Sequence, residues 1–184
     1  SCLTAFTANF SLPLEVTSHK DLIELSERIV KACYVQNGLI AEYAIHLDEG
    51  NPHLHILSTT RPWRIGKFST TRFRIDKEKL IEIRHLAASV SNEFAREKGY
   101  NYVLDARSYE DQGINIIPTR HMGPKAYHKH KDDSRILQEN KEIHQENLAL
   151  FFNRPEEIIK LVASKKVVFT TQDIEREVFK RVGG

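Results

Sequence analysis

The chain has 184 residues, of which 40% are hydrophobic and 28% charged, so its composition supports a folded core and excludes wholesale disorder. Two cysteines are too few for a disulfide scaffold, and no stretch approaches the roughly 18 continuous apolar residues of a membrane span, so we expect a cytoplasmic protein. The formal net charge of only +2 argues against a uniformly basic nucleic-acid-binding protein.

Hydrophobic periodicity and turn residues predict alternating strands and helices, followed by an irregular region and further helices. In chain order, the predicted elements are a strand (3–14), a helix (from 18 to a stop at Gly38), a strand (39–47), a turn (48–52), a strand (53–60), a basic segment (61–74), a helix (76–98), a strand (102–107), an irregular region (108–134) and three helices (134–152, from 155, and from 170). Ser18 with Asp21 is a capping pair for the first helix, and Gly38 and Gly99 are expected to end the two long helices.

This order predicts an α+β fold with a mainly antiparallel sheet and packing helices. We expect two domains: residues 1–133, which contain the sheet, and a helical C-terminal appendage over residues 134–184.

Three histidines cluster in the predicted hairpin of strands 39–47 and 53–60. Because side chains alternate along a strand, His53 and His55 share one face. His46 joins them only if the hairpin pairs it with an odd-numbered residue, as a short turn near residues 49 and 50 favours. Three imidazoles would suit a divalent transition metal, with coordination positions left open. A His-x-His pair on a sheet is also commonly plain polar surface.

The charge is unevenly distributed. Residues 50–75 contain five basic residues and no acid, and residues 118–135 contain five basic and two acidic residues. The first basic segment interleaves cations with Trp63, Phe68 and Phe73, a pattern that suits single-stranded nucleic acid, because cations attract phosphates and aromatic rings stack on unpaired bases. The alternative is a solvated hairpin with its aromatic residues folded onto the core.

Two sequence motifs resemble those of a known family. Residues 46–55 read His-Leu-Asp-Glu-Gly-Asn-Pro-His-Leu-His, which resembles the HUH metal motif of conjugative relaxases, His-x-Asp-Glu-x-x-Pro-His-x-His. Residues 105–114 and 117–124 resemble the second hallmark of the MobA/MobL relaxases, and the chain is similar above all to the relaxase domain of TraA-type relaxase-helicases. Ala106 departs from the family pattern, which usually has a histidine there. Residues 155–182 resemble the start of the region that follows the relaxase.

The resemblance implies metal-dependent, site- and strand-specific nicking and strand transfer of single-stranded DNA at an origin of transfer. It implies His46, His53 and His55 as ligands of a divalent metal, Mn²⁺ or Mg²⁺ first and Zn²⁺ or Ni²⁺ as alternatives, and Glu49 as the catalytic acidic residue. Conjugation accessory proteins are further expected partners, and a membrane is not. The candidate DNA-binding residues are Arg61, Trp63, Arg64, Lys67, Arg72, Arg74, Arg107, Arg120 and His121.

The chain differs from this family in its nucleophile. The family's tyrosine lies in an N-terminal helix upstream of the segment that residues 3–13 resemble, so we expect the tyrosine segment to be missing from this chain. Two alternatives remain: a catalytically inactive module that binds single-stranded DNA, and a nucleotide hydrolase of the histidine-triad type. The hydrolase would need a further histidine two positions after His55, where Leu57 stands.

Overall fold

The computed structural model describes residues 4–48, 50–120 and 135–182. The chain forms two compact units that divide between Ala106 and Arg107. The predicted α+β class is confirmed, because the first unit contains an antiparallel sheet with two helices and the second is helical. The predicted domain boundary at residue 133 falls within residues 121–134, outside the described part of the chain, and the boundary between domains stays a prediction.

The first unit is built on a three-stranded antiparallel sheet in the order β1-β3-β2. Its strands are β1 (Ala5–Ser11), β2 (Ala41–Asp48) and β3 (Asn51–Thr59). The hairpin turn is tighter than the predicted turn over residues 48–52, because Asp48 pairs directly with Asn51. Pro52 lies inside the central strand, where its carbonyl accepts a hydrogen bond of 2.8 Å from the amide of Leu12.

Two helices pack on one face of this sheet. They are α1 (His19–Cys33), which Ser18 caps, and α2 (Lys77–Lys98), which Asp76 caps. Gly99 ends α2 as predicted, with a φ of 77° that glycine adopts readily. The first helix ends earlier than predicted, at Cys33, and a separate 3-10 helix (Val35–Asn37) leads to Gly38, whose φ is 79°. The core lies between the helices and the sheet. It contains Leu54 and Ile56 of β3, Leu25 and Ile29 of α1, and Ile83 and Phe94 of α2.

The strand predicted over residues 102–107 is not formed. Side chains of α2 hold this segment instead of a neighbouring strand. The Asn92 amide donates to the Leu104 carbonyl and accepts from the Leu104 amide, both at 2.8 Å, and the Tyr102 hydroxyl donates to the Ser91 carbonyl. The apolar alternation of residues 102–107 therefore belongs to a segment that packs on α2 without forming a strand.

A small hairpin follows β3. It consists of β4 (Trp63–Arg64) and β5 (Lys67–Phe68). The basic segment 61–74 therefore contains regular structure before α2 begins.

The second unit contains the helices α3 (Arg135–Asn153), α4 (Glu156–Ala163) and α5 (Thr171–Val182). Pro155 lies at the N-cap of α4, and Thr170 and Asp173 cap α5 reciprocally. Ile114 and Ile116 pack against these helices in a separate core with Phe151, Ile158 and Leu161.

An extended segment that contains Ile117 and Arg120 is held to α3 by asparagine side chains. Asn147 pairs with both backbone groups of Ile117 at 3.0 and 2.9 Å, and Asn140 pairs with both backbone groups of Arg120 at 2.8 and 2.9 Å. Residues 107–120 of the second motif region and the C-terminal helices thus form one folded unit. None of the helices among the described residues has the length and apolar character of a membrane span.

Candidate metal centre and adjoining hairpin

Three histidines converge on the sheet face opposite the helices. Each of His46, His53 and His55 offers one nitrogen, and these three atoms all lie within 4.8 Å of one another. The ring centroids are 4.3 to 5.1 Å apart, and His46 is exposed while the other two are half-buried. This is the spacing at which one cation can contact three imidazoles.

The register of the β2–β3 hairpin produces this cluster. His46 pairs with His53, and Ala44 pairs with His55. The odd-numbered pairing predicted from the short turn is confirmed, and it places all three imidazoles on one face. A shift of one residue would have sent His46 to the helix-covered face.

The rings have distinct environments. Nδ1 of His53 lies 2.8 Å from the carbonyl oxygen of Asn51, which can only accept, so Nδ1 carries the proton and Nε2 is left as the ligand atom. Asp48 lies near the same nitrogen, with Oδ2 at 3.9 Å. Burial, and then the neighbouring His46 and His53, lower the pKa of His55, which favours the neutral ring that a metal requires.

Strand β1 adds polar side chains to this face. Asn9 pairs with His55 and Ser11 pairs with His53, so both share the histidine face. Sequence reasoning missed these two residues because their pairing joins segments more than 40 positions apart. On the neighbouring strand β2, Ala44 pairs with His55, and its small side chain leaves space beside the imidazole. On the same face lies Leu57, the residue at the position where a histidine-triad hydrolase needs histidine.

The donor set indicates which ions fit. Neutral imidazole suits Zn²⁺, Ni²⁺ and related transition-metal ions, and Mn²⁺ accepts it more readily than Mg²⁺, which prefers oxygen ligands. Three protein ligands leave positions for water or a substrate oxygen. Glu49, the predicted acidic residue of the motif, lies outside the described residues.

The β4–β5 hairpin presents two different faces. Trp63 and Phe68 pair across it with ring centroids 4.9 Å apart, and Arg64 pairs with Lys67 on the other face. The side chains of Trp63 and Phe68 are each nearly half-exposed. The alternative that the aromatic residues fold onto the core holds only for Phe73, which packs against the main core.

The predicted DNA-binding residues of the first unit differ in availability. Arg61 holds the segment together, because its Nη1 donates to the carbonyls of Ser69, at 3.0 Å, and Thr70. Arg72 and Arg74 are exposed between β5 and α2. Arg61 therefore has a structural task that the charge pattern alone did not reveal.

The remaining predicted residues belong to the second unit. The Arg120 guanidinium pairs with Glu139 at 2.6 Å, and Arg107 donates weakly to the carbonyl of Asp111 at 3.4 Å. His121 lies outside the described residues.

The chain is similar to known conjugation proteins. It is 26% identical over 196 residues to the conjugal transfer protein TraA of Rhizobium radiobacter, and 26% identical over 202 residues to that of Agrobacterium fabrum. These alignments cover 90% and 94% of this chain but only 18% of the relatives, so the chain spans about a fifth of their length.

A solved structure is also similar. It was reported as the molecular basis of vancomycin resistance transfer in Staphylococcus aureus. It superposes with a TM-score of 0.50 and 28% sequence identity over 57% of this chain and 58% of that one.

The chain also matches a family as a whole. The sequence profile of the MobA/MobL family matches residues 2–78 and 64–132, which include the histidine hairpin, the β4–β5 hairpin and the beginning of the second unit. The chain therefore belongs to the MobA/MobL family.

Proposed function

We propose that this chain is the metal- and DNA-binding part of a conjugative relaxase, which nicks one strand of DNA at an origin of transfer and transfers it. The observation that carries the proposal is the convergence of three histidine nitrogens within 4.8 Å on one sheet face. Membership of the MobA/MobL family and the similarity to conjugal transfer proteins agree with it.

His46, His53 and His55 would hold a divalent cation, and Mn²⁺ fits the imidazole set better than Mg²⁺. A cation held by these histidines would supply Lewis-acid polarisation of the scissile phosphate and would offset the negative charge that develops on the phosphate oxygens. The hydrogen bond from His53 to Asn51 fixes the ring so that Nε2 faces the site. Glu49 follows β2 directly, and we assign it the orientation of a ligand or the movement of a proton.

The DNA strand would run beside the β4–β5 hairpin. Trp63 and Phe68 offer ring faces to unpaired bases, and Arg64 and Lys67 offer cations to phosphates. Removing one such cation, as in Lys67→Ala, should weaken binding uniformly across sequences and reduce the slope of log affinity against log salt by about 0.7. Arg72, Arg74, Arg107, Arg120 and His121 are further candidates for phosphate or base contact.

The described tyrosines of the first unit are poorly placed as nucleophiles. Tyr34 is buried in the core, and Tyr43 lies on the helix-covered face with its hydroxyl directed to Glu27. The hydroxyl of Tyr100 bonds Asp21, and that of Tyr102 bonds Ser91. We infer that none of these four attacks the scissile phosphate.

This placement also favours a second candidate function, a module that binds single-stranded DNA without cutting it. The two functions differ in one observable, the formation of a covalent protein–DNA product.

The test is cleavage of a labelled single-stranded oligonucleotide from an origin of transfer, with Mn²⁺ and with EDTA. It should be run with this chain and with a version extended by whatever the natural gene encodes upstream of Ser1. We expect Mn²⁺-dependent cleavage in whichever version of the chain supplies a nucleophile. In that version, Tyr43→Phe should keep the cleavage activity and His53→Ala should lose it. Salt-sensitive binding without cleavage by either version would support the binding module. A covalent product at Tyr43 would refute our assignment of the tyrosines.

A further inference from the structure

The tip of the β4–β5 hairpin carries an unusual residue. Ile65 and Gly66 form the turn, both with positive φ, 46° and 76°. Such two-residue hairpin turns favour asparagine or aspartate before glycine, because a β-branched side chain is strongly disfavoured in the left-handed region. Ile65 is the only non-glycine residue with positive φ among the described residues.

The fold gains no burial from this isoleucine. Its side chain is fully exposed, with a relative accessibility of 101%. An aliphatic side chain held in a disfavoured conformation and surrounded by water contributes to neither packing nor turn formation. Local rules broken in this way point to a role outside the fold.

The hairpin is also firmly anchored at its base. The amide of Trp63 donates to the carbonyl of Gly38 at 2.7 Å, and the amide of Ser69 donates to the carbonyl of Pro62 at 2.8 Å. Arg61 bonds two carbonyls on the returning strand. These hydrogen bonds therefore fix the base of the hairpin, and with it the position of the tip.

Three kinds of surface meet on this small element: an apolar tip, an aromatic face with Trp63 and Phe68, and a cationic face with Arg64 and Lys67. A stacking platform and cations are sufficient for a flexible single strand. A projecting aliphatic tip adds the group that proteins insert between stacked bases to unstack them.

We propose that the β4–β5 hairpin is a wedge that inserts Ile65 into the last stacked step of a DNA duplex, where the duplex opens into the single strand. The aromatic face would receive the next unpaired base of the single strand, and the cationic face the adjacent phosphates. This inference rests on the proposed DNA-binding function, and it adds the junction as the feature that the hairpin recognises.

The experiment places the fluorescent base 2-aminopurine at the terminal base pair of a stem that continues into a single strand. A second oligonucleotide carries it within a plain single strand. The full chain with Mn²⁺ should raise the fluorescence at the junction severalfold, as the base leaves the stack. Ile65→Asn should lose most of this rise, and Ile65→Met should retain it. Ile23→Asn, which alters an isoleucine that is also exposed but lies on α1, is the matched control.

Thermal unfolding separates a wedge from a structural role. Asparagine suits the left-handed turn, so the Tm of Ile65→Asn should equal or exceed that of the unaltered chain. A lower Tm would show that the fold needs Ile65 and would overturn the proposal. So would an undiminished junction signal in Ile65→Asn, or an equal signal from the plain single strand.

Failure of the proposed function has a different signature. If the unaltered chain binds neither single-stranded DNA nor Mn²⁺, both proposals fall. If it binds both and the junction base stays stacked, only the wedge is refuted. Loss of binding to anionic lipid vesicles in Ile65→Asn, with an unchanged junction signal, would reassign the tip to a membrane surface.

Discussion

Gly38 couples the fold of the first unit to the position of the β4–β5 hairpin, and Gly38→Ala tests that coupling. Gly38 has a φ of 79°, and a Cβ built there would lie 3.2 Å from Cβ of Pro62 and 3.8 Å from the carbonyl oxygen of Trp63. Its own carbonyl accepts the hydrogen bond from the amide of Trp63. An added methyl group would therefore push against the base of the hairpin that it anchors.

Gly99 provides a matched control. Its φ is 77°, and an added Cβ would meet nothing within 4 Å. Alanine in the left-handed region costs about 1–2 kcal/mol, which the smaller entropy of the unfolded chain offsets by about 0.4–1 kcal/mol. We expect Gly99→Ala to lower the free energy of unfolding by about 1 kcal/mol. Gly38→Ala should lose about 1 kcal/mol more, because of the contact with Pro62.

The decisive measurement is DNA affinity, because only Gly38→Ala displaces the hairpin. Urea unfolding gives the two stabilities, and fluorescence anisotropy with a labelled single strand gives the affinities. We expect several-fold weaker binding for Gly38→Ala and unchanged binding for Gly99→Ala. Unchanged affinity in Gly38→Ala, or equal losses in both variants, would refute the argument that the anchored hairpin binds DNA.

Three further predictions follow from the metal centre and the second unit. His46→Ala should weaken Mn²⁺ binding at least tenfold by calorimetry, since it removes one of three ligands, whereas Leu57→Ala on the same face should not. Because the pKa of His55 is lowered from 6.5 in the folded chain, the unfolded chain binds more protons between that lowered pKa and 6.5. The Tm of the metal-free protein should therefore rise with pH across this window, and His55→Gln should flatten the rise. Asn147→Ala should lower the free energy of unfolding by about 1–3 kcal/mol in urea titrations, because it removes two hydrogen bonds between the buried Asn147 side chain and the backbone of Ile117, each worth about 0.5–1.5 kcal/mol; an effect below ~0.5 kcal/mol would show that water replaces the amide.

Local chemistry made much of the first unit predictable. The capping residues Ser18 and Asp76 mark the starts of α1 and α2, and Gly99 marks the end of α2, each within one residue. Gly38 lies five positions beyond the end of α1, because a 3-10 helix intervenes. The histidine register followed from the short turn expected near residues 49 and 50, since strand alternation leaves only two choices of face. Such features depend on neighbours in sequence.

Features that depend on distant segments were not predictable. Residues 102–107 have the alternation of a strand, but whether a strand or the Asn92 side chain takes their backbone hydrogen bonds is decided by the tertiary structure. Charge patterning likewise could not show that Arg61 braces a loop or that Arg120 pairs with Glu139. A basic residue in a charged run has the same sequence signature whether it binds a partner or its own chain.

The paired amides of Asn140 and Asn147 have a practical consequence for dividing this protein into fragments. They lie seven positions apart on α3, and they grip backbone groups three positions apart in the extended segment. A polypeptide cut after residue 133 would keep that segment and lose the helix that holds it, leaving Ile114 and Ile116 without their apolar partners. Such a fragment should expose apolar surface and precipitate, whereas a cut just after Ala106 would fall between the two compact units.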